Sequence, residues 1–141
     1  VNILVTLIAM LLPALLAASH IPTVCHSELS AWIQSDRKLS IVDIQNPEMF
    51  RAHNYAHSLA TGNNPAQIKK ISSKLRPGSD KVIIVSANGG ADAVNALELL
   101  VRGGVKRSRI LLLEGGMEAA ARKTVCDCCK PSTAPATGAA Q

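Results

Sequence analysis

The chain has 141 residues, with 15 Lys and Arg against 10 Asp and Glu and a formal net charge of +5. That length holds one domain with little to spare. Trp32, Phe50 and Tyr55 are the only aromatics, so the core must be aliphatic; there is no stacking platform for nucleobases, and no nucleic-acid partner is expected. The basic residues (Arg37, Lys38, Lys69, Lys70, Lys74, Arg76, Lys106, Arg107, Arg109) are scattered. They read as a solvated surface, with an anionic partner as the sharper alternative.

In chain order, Ile3 to Ala18 is an apolar run interrupted by Pro13. It is shorter than the roughly 20 residues of a membrane span. Ala17-Ala18-Ser19 places small residues where a signal peptidase reads them, although no basic segment precedes the run. Residues 1–19 are therefore read as a cleaved export signal, with a retained membrane anchor second and a buried core segment third. Export means a periplasmic or secreted protein, in a compartment that oxidises thiols.

Ser27 to Gln34 has Leu29, Trp32 and Ile33 on one helical face. Leu39 to Ile44 is a β-branched, apolar strand. Asn46-Pro47-Glu48 starts a helix with a cap, a proline at the first position and an acid in the first turn; it should run to about His53. Pro65 to Leu75 is a second amphipathic helix, with Ile68, Ile71 and Leu75 inward. After the turn cluster 76–80, Lys81 to Val85 is the strongest strand. A loop from Ser86 to Gly90 leads into a helix from Ala91 to Val101 that buries Ala93, Leu97, Leu100 and Val101. Gly103-Gly104 ends it, Arg109 to Leu113 is a third strand, and Met117 opens a final helix to about Lys123. Pro131 to Gln141 is a Pro/Ala/Thr tail with nothing to bury, read as disordered. Alternating helices and uninterrupted apolar strands predict an α/β fold with a parallel sheet covered on both faces. The expected division is 1–19 signal or anchor, 25–125 domain, and 126–141 cysteine cluster and tail.

Three segments, in this order, resemble the rhodanese-like domain. Ile41-Val42-Asp43-Ile44 followed by Pro47-Glu48-x-Phe50 is similar to the family's opening strand. Lys81 to Val85 is similar to the strand that delivers its active-site loop, and Leu112-Leu113-Glu114-Gly115-Gly116-Met117-Glu118-Ala119 to its closing segment. The resemblance spans about Ser27 to Arg122. It implies a central parallel sheet flanked by helices on both faces, and sulfurtransferase chemistry in active members.

The departures concern that chemistry. In active members the strand ends in a cysteine whose thiolate takes up a sulfane sulfur. Loop N–H groups and a helix N-terminus hold its charge. Here the aligned loop is Ser86, Ala87, Asn88, Gly89, Gly90, Ala91, with Asp92 after it. A serine hydroxyl is not ionised at neutral pH and cannot carry a persulfide. The loop has no arginine, and Asp92 adds negative charge. The arginine usual after the first strand's aspartate is Gln45, and the family's Gly-His-x-x-Gly stretch appears as His53-Asn54-Tyr55-Ala56-His57. Gly89-Gly90 could present backbone N–H groups to an anion, or merely serve the turn. Serine hydrolysis would need a base, which His53 or His57 could bring in space.

The remaining chemistry is in Cys25, Cys126, Cys128 and Cys129. A disulfide between the two ends, a soft metal site with His53 or His57 assisting, a relocated sulfur-carrying or redox thiol, and no role at all stay open. The expectation is an exported, catalytically degenerate rhodanese-like domain that binds a partner protein or a small anionic ligand. The alternative is sulfur transfer, or thiol or metal carriage, by the C-terminal cysteines. No cofactor is expected, and membrane contact only through residues 1–19 if they are retained.

Overall fold

The computed structural model describes residues 20–122, so the readings of residues 1–19, of Cys126, Cys128 and Cys129 and of the tail lie outside the described residues. Five parallel strands form one sheet in the order β1-β5-β4-β2-β3. They are β1 (Thr23–Val24), β2 (Leu39–Asp43), β3 (Leu59–Ala60), β4 (Lys81–Val85) and β5 (Ile110–Leu113). The helices are α1 (His26–Gln34), α2 (Pro47–Ala52), α3 (Pro65–Leu75), α4 (Ala91–Arg102) and α5 (Gly116–Ala121). This is the α/β architecture that the uninterrupted apolar strands predict.

Side chains alternate across the sheet with a period of two. Val42, Val82, Ile84, Ile110 and Leu112 turn to one face, where they pack with Ile68, Leu75, Ala93, Ala96, Leu97 and Leu100 of α3 and α4. Ile41, Ile83, Val85 and Leu113 turn to the other, against Leu29 of α1 and Met117 of α5. Burying each such aliphatic side chain stabilises the fold by about 1.5–3 kcal/mol. Ile71 and Val101, expected inward, are only half-buried at the margin of the first layer.

The helix starts follow from capping chemistry. The Asn46 side chain accepts the Met49 N–H at 2.8 Å, and Asn64 accepts those of Ala66 and Gln67, each followed by a proline at the first helical position. α4 closes at Gly103, with Gly104 at φ +94°.

Several boundaries shift. α1 begins at His26, one residue early; α2 ends at Ala52, and α5 runs Gly116–Ala121 rather than from Met117 to Lys123. Ile44 leaves β2, although its N–H still reaches Val85 O. Arg109 belongs to a 3₁₀ turn, Arg107–Arg109, not to β5. It is also buried: its guanidinium donates to Asp80 O and Leu75 O, both at 2.8 Å, and so is not part of the solvated basic surface. β1 and β3, two residues each, have no sequence periodicity to reveal them. Among the described residues no helix is long and apolar enough to cross a membrane.

Candidate functional site

All five strands run the same way, so the loops after β2, β4 and β5 meet at one edge of the sheet. Ligands of open parallel sheets bind at the carboxyl ends of the strands. β4 delivers Ser86 to this edge. Its side chain is 2% exposed, and its Oγ accepts the Gly89 N–H at 2.8 Å. Asn88 Oδ1 accepts the Gly90 N–H at 2.9 Å. Gly89 sits at φ +73°, a conformation glycine adopts without strain. Both glycine N–H groups that could have faced an anion are thus used inside the loop. Gly90 stands at the N-cap of α4, Ala91 is that helix's exposed first residue, and Asp92 follows in its first turn.

The closing glycines hold the loop in place. Met117 N–H donates to Ser86 O and Glu118 N–H to Ala87 O, both at 2.9 Å. A Cβ on Gly116 would lie 2.6 Å from the backbone of Ala87 and Asn88, and one on Gly89 would lie 3.0 Å from Gly115 N. The approach of the two loops therefore requires glycine on both sides.

Beside Ser86 lies a pocket of about 220 Å³, lined in part by Gln45, Asn46, Met49, Asn63, Ala87 and Asp92. Its one charged lining side chain is the Asp92 carboxylate; no lysine, arginine or histidine lines it. Asn63, from the turn before α3, had no signal in the sequence. Asp43 lies beneath, fully buried. It accepts Gln45 N–H at 2.9 Å and Gln45 Nε2 at 3.2 Å. Burial pushes its carboxyl above the usual range, and the two Gln45 hydrogen bonds pull the other way. The neutral amide standing where the resemblance implies arginine supplies no opposing charge.

His53 caps the end of α2 and is exposed, as is His57 at φ +61°. The two histidines do not share a helical face, because α2 has already ended. His53 lines a small neighbouring cavity with Gln45, Met49 and Met117. That cavity leads to a pocket of about 370 Å³ between α1 and α5, which includes His26, Ile33, Tyr55 and Ala120. There His26 Nδ1 and the Tyr55 hydroxyl share a hydrogen bond of 2.6 Å. His26 was missed in the sequence because its partner is 29 residues away.

Cys25 is fully buried at the N-cap of α1, with its Sγ 3.3 Å from Ser27 Oγ. β5 separates its strand from β4, so Cys25 stands about 10 Å from Ser86 across two strand spacings. Among the described residues no three His, Cys, Asp or Glu side chains are grouped to hold a metal.

The architecture is that of the rhodanese-like fold. A rhodanese-related protein from Thermoplasma volcanium superposes with a TM-score of 0.51 at 18% identity, over 72% of this chain and 91% of that one. The rhodanese-like domain of an Anabaena protein gives 0.59 at 18% identity, over 72% and 74%. A yeast protein described as a tyrosine phosphatase of the rhodanese family gives 0.55 at 14% identity, over 75% and 88%. No protein-family model matches the sequence, and no curated protein is significantly similar to it. At these identities the superpositions show the fold alone.

Proposed function

We propose that this chain is a rhodanese-like domain that has lost sulfur-transfer chemistry at its loop and acts by binding a partner protein or a small ligand. The observation that carries this reading is the state of Ser86. An alcohol, buried and hydrogen-bonded to Gly89 N–H, follows β4 where the resemblance implies the nucleophile, beside a pocket whose one charged lining group is a carboxylate. An anionic sulfur donor would meet Asp92 and no cation. Phosphoryl transfer meets the same objection, and serine hydrolysis lacks a histidine in the pocket.

The Gly89 N–H that reaches Ser86 Oγ is placed to steady a thiolate at the same position. The test is therefore thiosulfate:cyanide sulfurtransferase activity of the full chain and of Ser86→Cys. Silence in the wild type with activity in the variant supports an intact scaffold that lacks only its nucleophile. An active wild type refutes the reading.

One observation favours the second reading, sulfur transfer or thiol carriage by Cys126, Cys128 and Cys129. The N-terminus of α5 is hydrogen-bonded to the Ser86 loop, and the six residues of α5 rise only about 9 Å. Cys126 follows Arg122 by four residues, enough chain to span about 13 Å. That reach is sufficient to bring a tail thiol back to the pocket. Alanine at all three positions would abolish any wild-type activity if the reading holds.

Export is proposed from the apolar run Ile3–Ala18 and the small residues Ala17-Ala18-Ser19. The intact mass of the protein recovered from an exporting host tests it: a chain starting at His20 supports cleavage, and a retained run of residues 1–19 contradicts it.

A further inference from the structure

A second pocket lies apart from the Ser86 loop. It measures about 430 Å³ and is lined by Pro65, Ala66, Lys69, Leu99, Arg102 and Gly103, between α3 and α4. Its size falls within the roughly 300–1,000 Å³ typical of small-molecule sites, whereas the pocket beside Ser86 does not. The two pockets share no lining residue.

The sequence builds this pocket through one close contact. A Cβ on Gly103 would lie 1.9 Å from Ser72 Oγ, so the glycine lets the end of α4 press onto α3. Beside that contact the walls are apolar, made by Pro65, Ala66 and Leu99. Lys69 and Arg102 complete the lining; both are exposed, and each carries an aliphatic stem and a positive head. α3 contains no acidic residue. Glu98 of α4 is paired with Arg107, the one ion pair among the described residues. Neither Lys69 nor Arg102 is in a salt bridge there.

An apolar cavity edged by two cations, with no carboxylate lining it, selects a particular chemistry. We propose that the α3–α4 pocket binds a small organic anion: a carboxylate, sulfate or phosphate head held between Lys69 and Arg102, with an apolar body seated on Pro65, Ala66 and Leu99. Head and body are both required. The proposal does not depend on the chemistry of the Ser86 loop, so a sulfurtransferase assay leaves it untouched.

The test is calorimetric titration of the full chain with octanoate, beside octan-1-ol and inorganic phosphate. Saturable one-to-one binding of octanoate is expected, with octan-1-ol and phosphate each weaker by at least about tenfold. Lys69 and Arg102 are exposed, so the double variant Lys69→Glu/Arg102→Glu should keep its fold and lose at least about tenfold in affinity. Ala66→Trp fills the cavity while keeping both charges, and should weaken binding comparably. No saturable octanoate binding would overturn the proposal, as would affinity unchanged in either variant. Equal binding of octan-1-ol would exclude the anionic head, and equal binding of phosphate would exclude the apolar body.

Discussion

Ser86 and Asp43 show how single side chains set the chemistry of the edge. At Ser86 a backbone donor that would support a thiolate is in place, because Gly89 N–H already points at the side-chain oxygen. Ser86→Cys should therefore gain measurable sulfurtransferase activity. Adding Asp92→Asn should raise it several-fold, because an opposing charge leaves the pocket; the rate with thiosulfate checks both. Asp43 makes a pH prediction. Its folded-state pKa is raised, so its contribution to stability is full below the unfolded value near 3.8 and is lost as pH rises through the folded pKa. The melting-temperature advantage of wild type over Asp43→Asn should accordingly shrink from pH 4 to pH 7. An advantage that grows with pH would mean that the buried carboxylate is favoured as the anion. The identity of Ser86 and Gln45 was legible in the sequence once the strands were placed. The hydrogen bonds that consume the Gly89 and Gly90 N–H groups were not, because they depend on the loop's own turn and on the Asn88 rotamer.

Elements carry the constraint that residues alone do not show. The Gly115-Gly116 turn places α5 against the Ser86 loop, with both glycines at positive φ. Gly116→Ala combines that left-handed backbone with a Cβ 2.6 Å from Ala87, and should cost roughly 2 kcal/mol or more, read as a lower denaturant midpoint. Gly103→Ala should also destabilise by about 1–3 kcal/mol, through the clash with Ser72. A Ser72→Gly/Gly103→Ala double variant should recover part of that loss. β2, β4 and β5 were readable because burial on both faces makes them continuous apolar runs. β1 and β3 were not, since two paired residues leave no periodicity and their pairing is set by neighbours far along the chain. Arg109 read as part of a strand because Ile110 to Leu113 follows it directly. Its carbonyl partners at Leu75 and Asp80 belong to the end of α3 and the turn after it, which only the fold brings near.

On the scale of the whole molecule, two regions carry different chemistry. The carboxyl edge holds the Ser86 loop and a run of pockets reaching the His26–Tyr55 pair. The α3–α4 face holds the two cations of the proposed anion pocket. The alternation of strand and helix announced the sheet; the pockets could not be read ahead of it, since each joins residues from segments far apart in the chain. The central claim is that the described domain carries no sulfur at its loop and that the wild-type chain is not a sulfurtransferase. The most direct measurement is mass mapping of persulfides after the full chain is incubated with thiosulfate and its thiols are blocked. The account predicts no persulfide on Cys25, Cys126, Cys128 or Cys129. A persulfide on any of the three C-terminal cysteines, lost on addition of cyanide, would contradict it and move the sulfur chemistry to the tail.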